Sequence, residues 1–105
     1  MQDRCLESIE SLVKKVLKEN DHQLYKWGVQ SHTPEEWYVI TAEEFGEVAK
    51  AIQEYKYRGG KIEDVIKELI QASTLMLKMT EMYIYEAREI KEVAKHGSGQ
   101  KVGDY

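Results

Sequence analysis

The feature that most constrains this chain is its second half, where residues 61–96 contain neither glycine nor proline. Apolar side chains recur there every seven residues, at Ile62, Leu69, Met76, Tyr83 and Ile90, which predicts one long helix. Such a helix spans about 52 Å, whereas a compact domain of this length is only about 35 Å across. Either the helix breaks around residues 78–82, or its far half packs on another subunit. We favour the second arrangement.

Two further helices are predicted before it. An apolar stripe at helical spacing predicts a first helix over residues 3–28, with Gly28 as its stop. The segment "SHTPEE" is typical of a helix start, since Thr33 can cap the helix, Pro34 can take its first position and Glu36 can complete a capping box. This second helix is expected to end near "YRGGK". The predicted class is all-α, a helical bundle of three to four helices with a long third helix, completed by oligomerisation.

Length and composition limit the remaining choices. The 105 residues suffice for a single all-α domain, predicted over residues 1–96, followed by a flexible tail at 97–105. A net charge of −4 without a basic cluster argues against nucleic-acid binding. No apolar run approaches the length of a membrane span, and the single cysteine, Cys5, cannot form an internal disulfide. We therefore expect a cytoplasmic protein that does not bind membranes.

One residue of the second helix is out of place. Counting 100° per residue, Glu44 shares its face with apolar neighbours such as Trp37, Ile40 and Val48, all within roughly 40°. Glu47 lies only about 60° away on the same helix. A buried carboxylate without a partner is energetically costly, so the pattern predicts that something compensates Glu44 and Glu47.

A second pair of polar residues occurs in the third helix, where Glu68 and Gln71 are also spaced i, i+3. Helices joined by a short glycine turn face each other, and both pairs lie at similar distances from that turn, so the four side chains are expected to converge. Three carboxylates and an amide oxygen suit a hard cation, Mg²⁺ or Mn²⁺. Di-iron and zinc sites are disfavoured because no histidine has the required spacing; the histidines are His22, His32 and His96. An acid-rich solvated helix face is the alternative.

The segment "KWGVQSHTPEEWYVITAEEFGEVAKAIQE", with its Glu-Glu-x-x-Glu string and the later Glu68, resembles the all-α nucleotide pyrophosphohydrolases of the MazG-like superfamily. The resemblance covers about residues 23–80. It implies hydrolysis of a nucleoside triphosphate to a monophosphate and pyrophosphate, and a helical bundle completed as a homodimer or homotetramer. It also implies that Glu44, Glu47 and Glu68 are Mg²⁺ ligands.

A mechanism can be assembled from these residues. The bound Mg²⁺ would neutralise charge that develops on the phosphates, and Glu43 is the candidate to orient the attacking water. Basic residues near the turn are candidates to bind the triphosphate; they are Lys50, Arg58 and Lys61. Trp27 and Trp37 are candidates to form the walls of a base pocket, although tryptophans in a small helical core commonly serve packing.

Gln71 is where the chain departs from the family pattern, which has aspartate there. An amide can ligate Mg²⁺, but it brings no negative charge and cannot act as a base, so weaker metal binding or altered activity is expected. Asp64, one turn earlier, is a conceivable substitute ligand. Two other functions therefore remain open: a catalytically weak or silent nucleotide- or metal-binding protein, and a helical interaction module whose acids are incidental.

Overall fold

The computed structural model describes residues 9–95, which form three helices and no strand: α1 (Ile9–Trp27), α2 (Pro34–Tyr57) and α3 (Ile62–Val93). The all-α prediction is confirmed. Cys5, the predicted first turns of α1 and the tail at 97–105 lie outside the described residues. Over the part of the chain that is described, no helix is both long and apolar enough to cross a membrane.

The start of α2 follows the predicted capping box. Thr33 Oγ1 accepts a hydrogen bond from the backbone N–H of Glu36 (3.2 Å), and Glu36 Oε1 accepts one from the backbone N–H of Thr33 (2.8 Å). These bonds also hold the pKa of the Glu36 carboxyl below its usual value. With Pro34 at the first helical position, the reciprocal pair fixes where α2 begins.

Two glycine turns separate the helices. Gly28 ends α1 with φ of 71°, and its N–H donates to the carbonyl of Leu24 (2.8 Å). In the second turn Gly59 has φ of 73°, and the N–H of Gly60 donates to the carbonyl of Glu54 (2.9 Å). A Cβ on Gly60 would stand 2.9 Å from the Glu54 carbonyl carbon, so α3 can turn back this closely only at a glycine.

The third helix is the common partner of the other two. α2 packs extensively on α3, α1 packs on it over a shorter stretch, and in residues 9–95 the backbones of α1 and α2 do not pack on each other. Contacts of Glu44 with Gln71, and of Trp37 with Lys78, show that α2 runs antiparallel to the first half of α3. α1 meets α3 from Gln23, next to Lys78, and extends away from α2 along the second half.

The long helix does not break around residues 78–82, so the first of the two arrangements considered above is wrong. Its 32 residues span about 48 Å. The far half is also not left entirely for another subunit, because α1 covers one side of it and Ala87 is buried there.

The seven-residue pattern of α3 lies on an uncovered face. Its members, which we call the apolar stripe, are exposed by 38–46%; they are Ile62, Leu69, Met76, Tyr83 and Ile90. A different and more polar series, repeated at i, i+3 and i+4, lines the open spaces between α3 and the other helices: Lys61, Asp64, Glu68, Gln71, Leu75, Lys78 and Met82. The pattern therefore predicts the helix correctly, but the residues that α3 buries lie off the apolar stripe; they are Ala72, Thr74, Leu75 and Ala87.

Candidate functional site

Glu44, Glu47, Glu68 and Gln71 form an acid cluster where α2 packs on the first half of α3. In the amide orientation that satisfies its hydrogen bonds, Gln71 Nε2 donates to Glu44 Oε1 (3.0 Å) and to Glu68 Oε2 (2.9 Å). Gln71 thus bridges one acid from each helix. The convergence of these three side chains follows from the antiparallel α2–α3 pair and its short glycine turn.

Glu44 is electrostatically the most perturbed of the cluster. Burial raises its pKa from 4.5 to about 8, helped by a hydrogen bond with Glu68 and by the negative charges of Glu68, Glu47 and Glu19. Glu44 therefore holds a proton at neutral pH. The sequence predicts that some group offsets the cost of burying Glu44. In the structure this proton and the hydrogen bond from the Gln71 amide do so.

A pocket of about 550 Å³ adjoins the cluster at the junction of the three helices, and we call it the junction pocket. Glu44 and Gln71 form one end of it. Trp37, only 8% exposed, forms part of its inner wall and meets His32 edge-on at 4.9 Å between ring centres. Trp27 lies at the pocket as well but is 54% exposed. Both tryptophans singled out in the sequence thus line one pocket, which has room for a planar ring.

A polar network enters the junction pocket from α1. Gln23, 4% exposed, donates through Nε2 to Glu19 Oε2 (2.7 Å), and its Oε1 accepts from Lys78 Nζ (2.5 Å). Burial lowers the pKa of the Lys78 ammonium, while the Glu19 charge acts in the opposite direction. Sequence reasoning missed all three residues. The available signal was the position of Lys78, seven residues or about two helical turns beyond Gln71 on the same face of α3.

A smaller cleft of about 210 Å³ lies on the other side of the acid cluster, toward the glycine turn. Glu47 and Glu68 line it, together with Lys50, Lys61 and Asp64. Two of the three basic residues predicted to bind phosphates are therefore beside the acids. Arg58 is not: it is an exposed side chain that bonds Glu54 at 2.9 Å and lines neither pocket.

The predicted metal ligands are close neighbours, and their donor atoms are the oxygens that a hard divalent cation prefers. Within residues 9–95, no group of three or more His, Cys, Asp or Glu side chains is already arranged as a metal site; the Gln71 amide stands between Glu44 and Glu68. The pKa of Glu44 is raised first by burial and then by the hydrogen bond and negative charge of Glu68 and the charges of Glu47 and Glu19, and a cation in place of the proton would offset these charges. Glu43 is exposed and lines neither pocket.

No protein-family model, characterised protein or solved structure matches this chain. Its resemblance to the MazG-like superfamily therefore stays a prediction from the sequence.

Proposed function

We propose that this protein is a Mg²⁺-dependent nucleoside triphosphate pyrophosphohydrolase, which converts a nucleoside triphosphate to its monophosphate and pyrophosphate. One observation carries the proposal: the acid cluster lies between a pocket with two tryptophans and a cleft with two lysines, all along one face of α3. A nucleotide has the same order of parts, an aromatic base, a reacting phosphate and a charged phosphate tail.

The spacing along α3 supports this orientation. Gln71 precedes Lys78 by seven residues, or about 10 Å along the helix axis, and follows Lys61 by ten residues, or about 15 Å. A base between Trp27 and Trp37 therefore leaves the α-phosphate near the acid cluster. The outer phosphates then extend toward Lys50 and Lys61, whose ammonium groups balance their charge.

Glu44, Glu47 and Glu68 would hold the Mg²⁺ or Mn²⁺. The Gln71 amide, whose Nε2 donates to Glu44 and Glu68 in this structure, would have to turn its oxygen toward the cation to act as a fourth donor. When bound, the cation would supply positive charge that stabilises the negative charge developing on the phosphates in the transition state. Glu44 must give up its proton for this, so metal binding and proton release are coupled. Glu43 is exposed beside the cluster on α2 and is the candidate to orient the attacking water. Water adds its oxygen to the α-phosphorus as the bond from this phosphorus to the α,β-bridging oxygen breaks. Pyrophosphate leaves with that oxygen, and the proton that the water loses passes to solvent.

The working form is proposed to be a cytoplasmic homodimer or homotetramer. The apolar stripe on α3 and further exposed side chains on α1, among them Leu12 at 37% and Leu17 at 57%, are left without cover in one chain. Light scattering of Leu69→Lys should give a smaller mass than the unmodified protein. Tyr57→Lys, a change at a 72% exposed position off the stripe, serves as the control. A monomeric unmodified protein at micromolar concentration would refute this part of the proposal.

A catalytically silent nucleotide or metal binder is the second candidate. The position of Gln71 favours it, because an amide that donates to Glu44 and Glu68 already stabilises the acids without a cation. This candidate predicts nucleotide binding, or metal-dependent stabilisation, without turnover.

The deciding experiment is pyrophosphate release from a panel of canonical and modified nucleoside triphosphates with Mg²⁺ or Mn²⁺. We expect release from at least one of them, abolished by chelator and by Glu68→Gln. The matched control is Glu86→Gln, which makes the same change at an exposed position of α3 away from both pockets. If no triphosphate yields pyrophosphate with either metal, the protein is not this enzyme.

A further inference from the structure

Lys78 is held in a defined place at the junction pocket. Its Nζ donates to Gln23 Oε1 at 2.5 Å and lies 5.7 Å from the centre of the Trp37 ring. Gln23 is nearly fully buried and is itself fixed by its bond to Glu19. An ammonium group has three N–H donors, of which Gln23 accepts one. Lys78 therefore keeps donors for a ligand in the pocket.

The distance from the acid cluster decides which part of a ligand Lys78 meets. It lies about 10 Å along α3 from Gln71, on the side of the two tryptophans and opposite to Lys50 and Lys61. With the reacting phosphate at the acid cluster, this is the far end of a nucleoside. Lys78 consequently faces the base and not the phosphates.

Glu81 supplies the complementary group. It follows Lys78 by three residues, so the two side chains are neighbours on α3, and it lines the same pocket. A lysine donates and a carboxylate accepts, which gives the pocket a donor beside an acceptor. Uracil, guanine and hypoxanthine present the reverse pair, an exocyclic oxygen beside a ring N–H. Cytosine and adenine present an amino group beside an unprotonated ring nitrogen. With Lys78 at the exocyclic group of the base and Glu81 at its ring nitrogen, as the proposal takes them, these two bases would set donor against donor and acceptor against acceptor.

We propose that Lys78 and Glu81 make the junction pocket selective for nucleotides whose base carries an oxo group beside a ring N–H. This inference rests on the proposed function, because it takes the junction pocket to be the site of the base. Gln23 acts as a positioning residue, because it holds the Lys78 ammonium at the pocket. By this route α1, which supplies none of the predicted metal ligands, takes part in selecting the base.

The test compares nucleotides that differ at this edge. The pairs are UTP with CTP and ITP with ATP, each as its α,β-methylene analogue in Mg²⁺, so that binding is measured without turnover. Trp27 and Trp37 are the only tryptophans of the chain and both line the pocket, so intrinsic fluorescence reports binding. We expect the oxo member of each pair to bind about tenfold tighter or more, as for a hydrogen bond to a charged group.

Lys78→Met should reduce this preference to near unity, and Lys78→Arg should keep most of it. Lys67→Met is the matched control, since Lys67 is exposed on α3 and lines neither pocket. If circular dichroism shows that Lys78→Met is unfolded, Glu81→Gln takes its place and should lower the preference severalfold. Equal binding of both members of each pair by the unmodified protein would overturn the inference, as would a preference that survives loss of Lys78 or of the Glu81 charge.

The two proposals fail separately. Selective binding through Lys78 without pyrophosphate release from the parent triphosphates would refute the enzymatic function and leave the selectivity standing. Release of pyrophosphate from oxo and amino nucleotides alike would refute the selectivity and leave the enzyme.

Discussion

Replacing Glu44 with glutamine should make the protein more stable at alkaline pH and change little at acidic pH. The pKa of Glu44 rises from 4.5 to about 8 on folding, so between these values the folded chain binds a proton that the unfolded chain has lost. Stability therefore falls as pH rises through this window and levels off above it. Glu44→Gln keeps an uncharged side chain of the same size and removes the titration.

The size of the effect follows from the same pKa. At about 1.4 kcal/mol for each tenfold change in proton affinity, the full shift corresponds to about 5 kcal/mol. Glu44 is only partly buried, and solvent screening reduces this to about 1–3 kcal/mol. We thus expect Glu44→Gln and the unmodified protein to have similar free energies of unfolding near pH 5. Near pH 9 the free energy of unfolding of the variant should be higher by about 1–3 kcal/mol.

Urea unfolding followed by circular dichroism, in chelator and at several pH values, measures this difference. Glu86→Gln is the control, and its free energy of unfolding should change with pH in the same way as that of the unmodified protein. Added Mg²⁺ should narrow the gap at high pH, since only the unmodified site gains the full binding term, about 2.7 kcal/mol at a metal concentration of 100 Kd. A difference between Glu44→Gln and the unmodified protein that stays constant from pH 5 to pH 9 would refute the reasoning.

Three further changes test other parts of the structure. Gln71→Asp should tighten Mg²⁺ binding in a calorimetric titration by adding a carboxylate, and should lower the melting temperature in chelator because the amide that donates to Glu44 and Glu68 is lost; unchanged metal affinity would mean that residue 71 does not face the cation. Thr33→Ala should cost about 1 kcal/mol in a urea melt by removing the cap of α2, and a loss under 0.3 kcal/mol would contradict the role of the cap. Gly60→Ala should cost about 1–3 kcal/mol because its Cβ would meet the backbone of Glu54, and a neutral result would show that the turn adjusts freely.

Local signals in the sequence predict the helices well. The capping box at Thr33 and the glycines at 28 and 59 act within one turn of chain, so their effect does not depend on distant residues. The isolated position of Glu44 on an apolar face also predicts its perturbed surroundings, because its neighbours Trp37 and Val48 on that face of α2 are buried.

What the sequence does not reveal is how α1 and α3 meet. α3 has two series at similar spacing, and the more apolar one, with Leu69 and Met76, is the one left exposed. Hydrophobicity alone favours burying that series. Gln23 and Lys78, whose hydrogen bond joins α1 to α3, are 55 residues apart along the chain, so this pairing leaves no local pattern.

The separate packing of α1 and α2 on α3 has a consequence for motion. α1 has the smaller contact and no backbone packing on α2, so it can detach while the α2–α3 hairpin stays folded, at a free energy below that of global unfolding. A ligand in the junction pocket touches residues of all three helices and adds its binding energy to the closed form alone. The amide hydrogens of α1 are then the ones whose exchange with solvent should slow most when the pocket is filled.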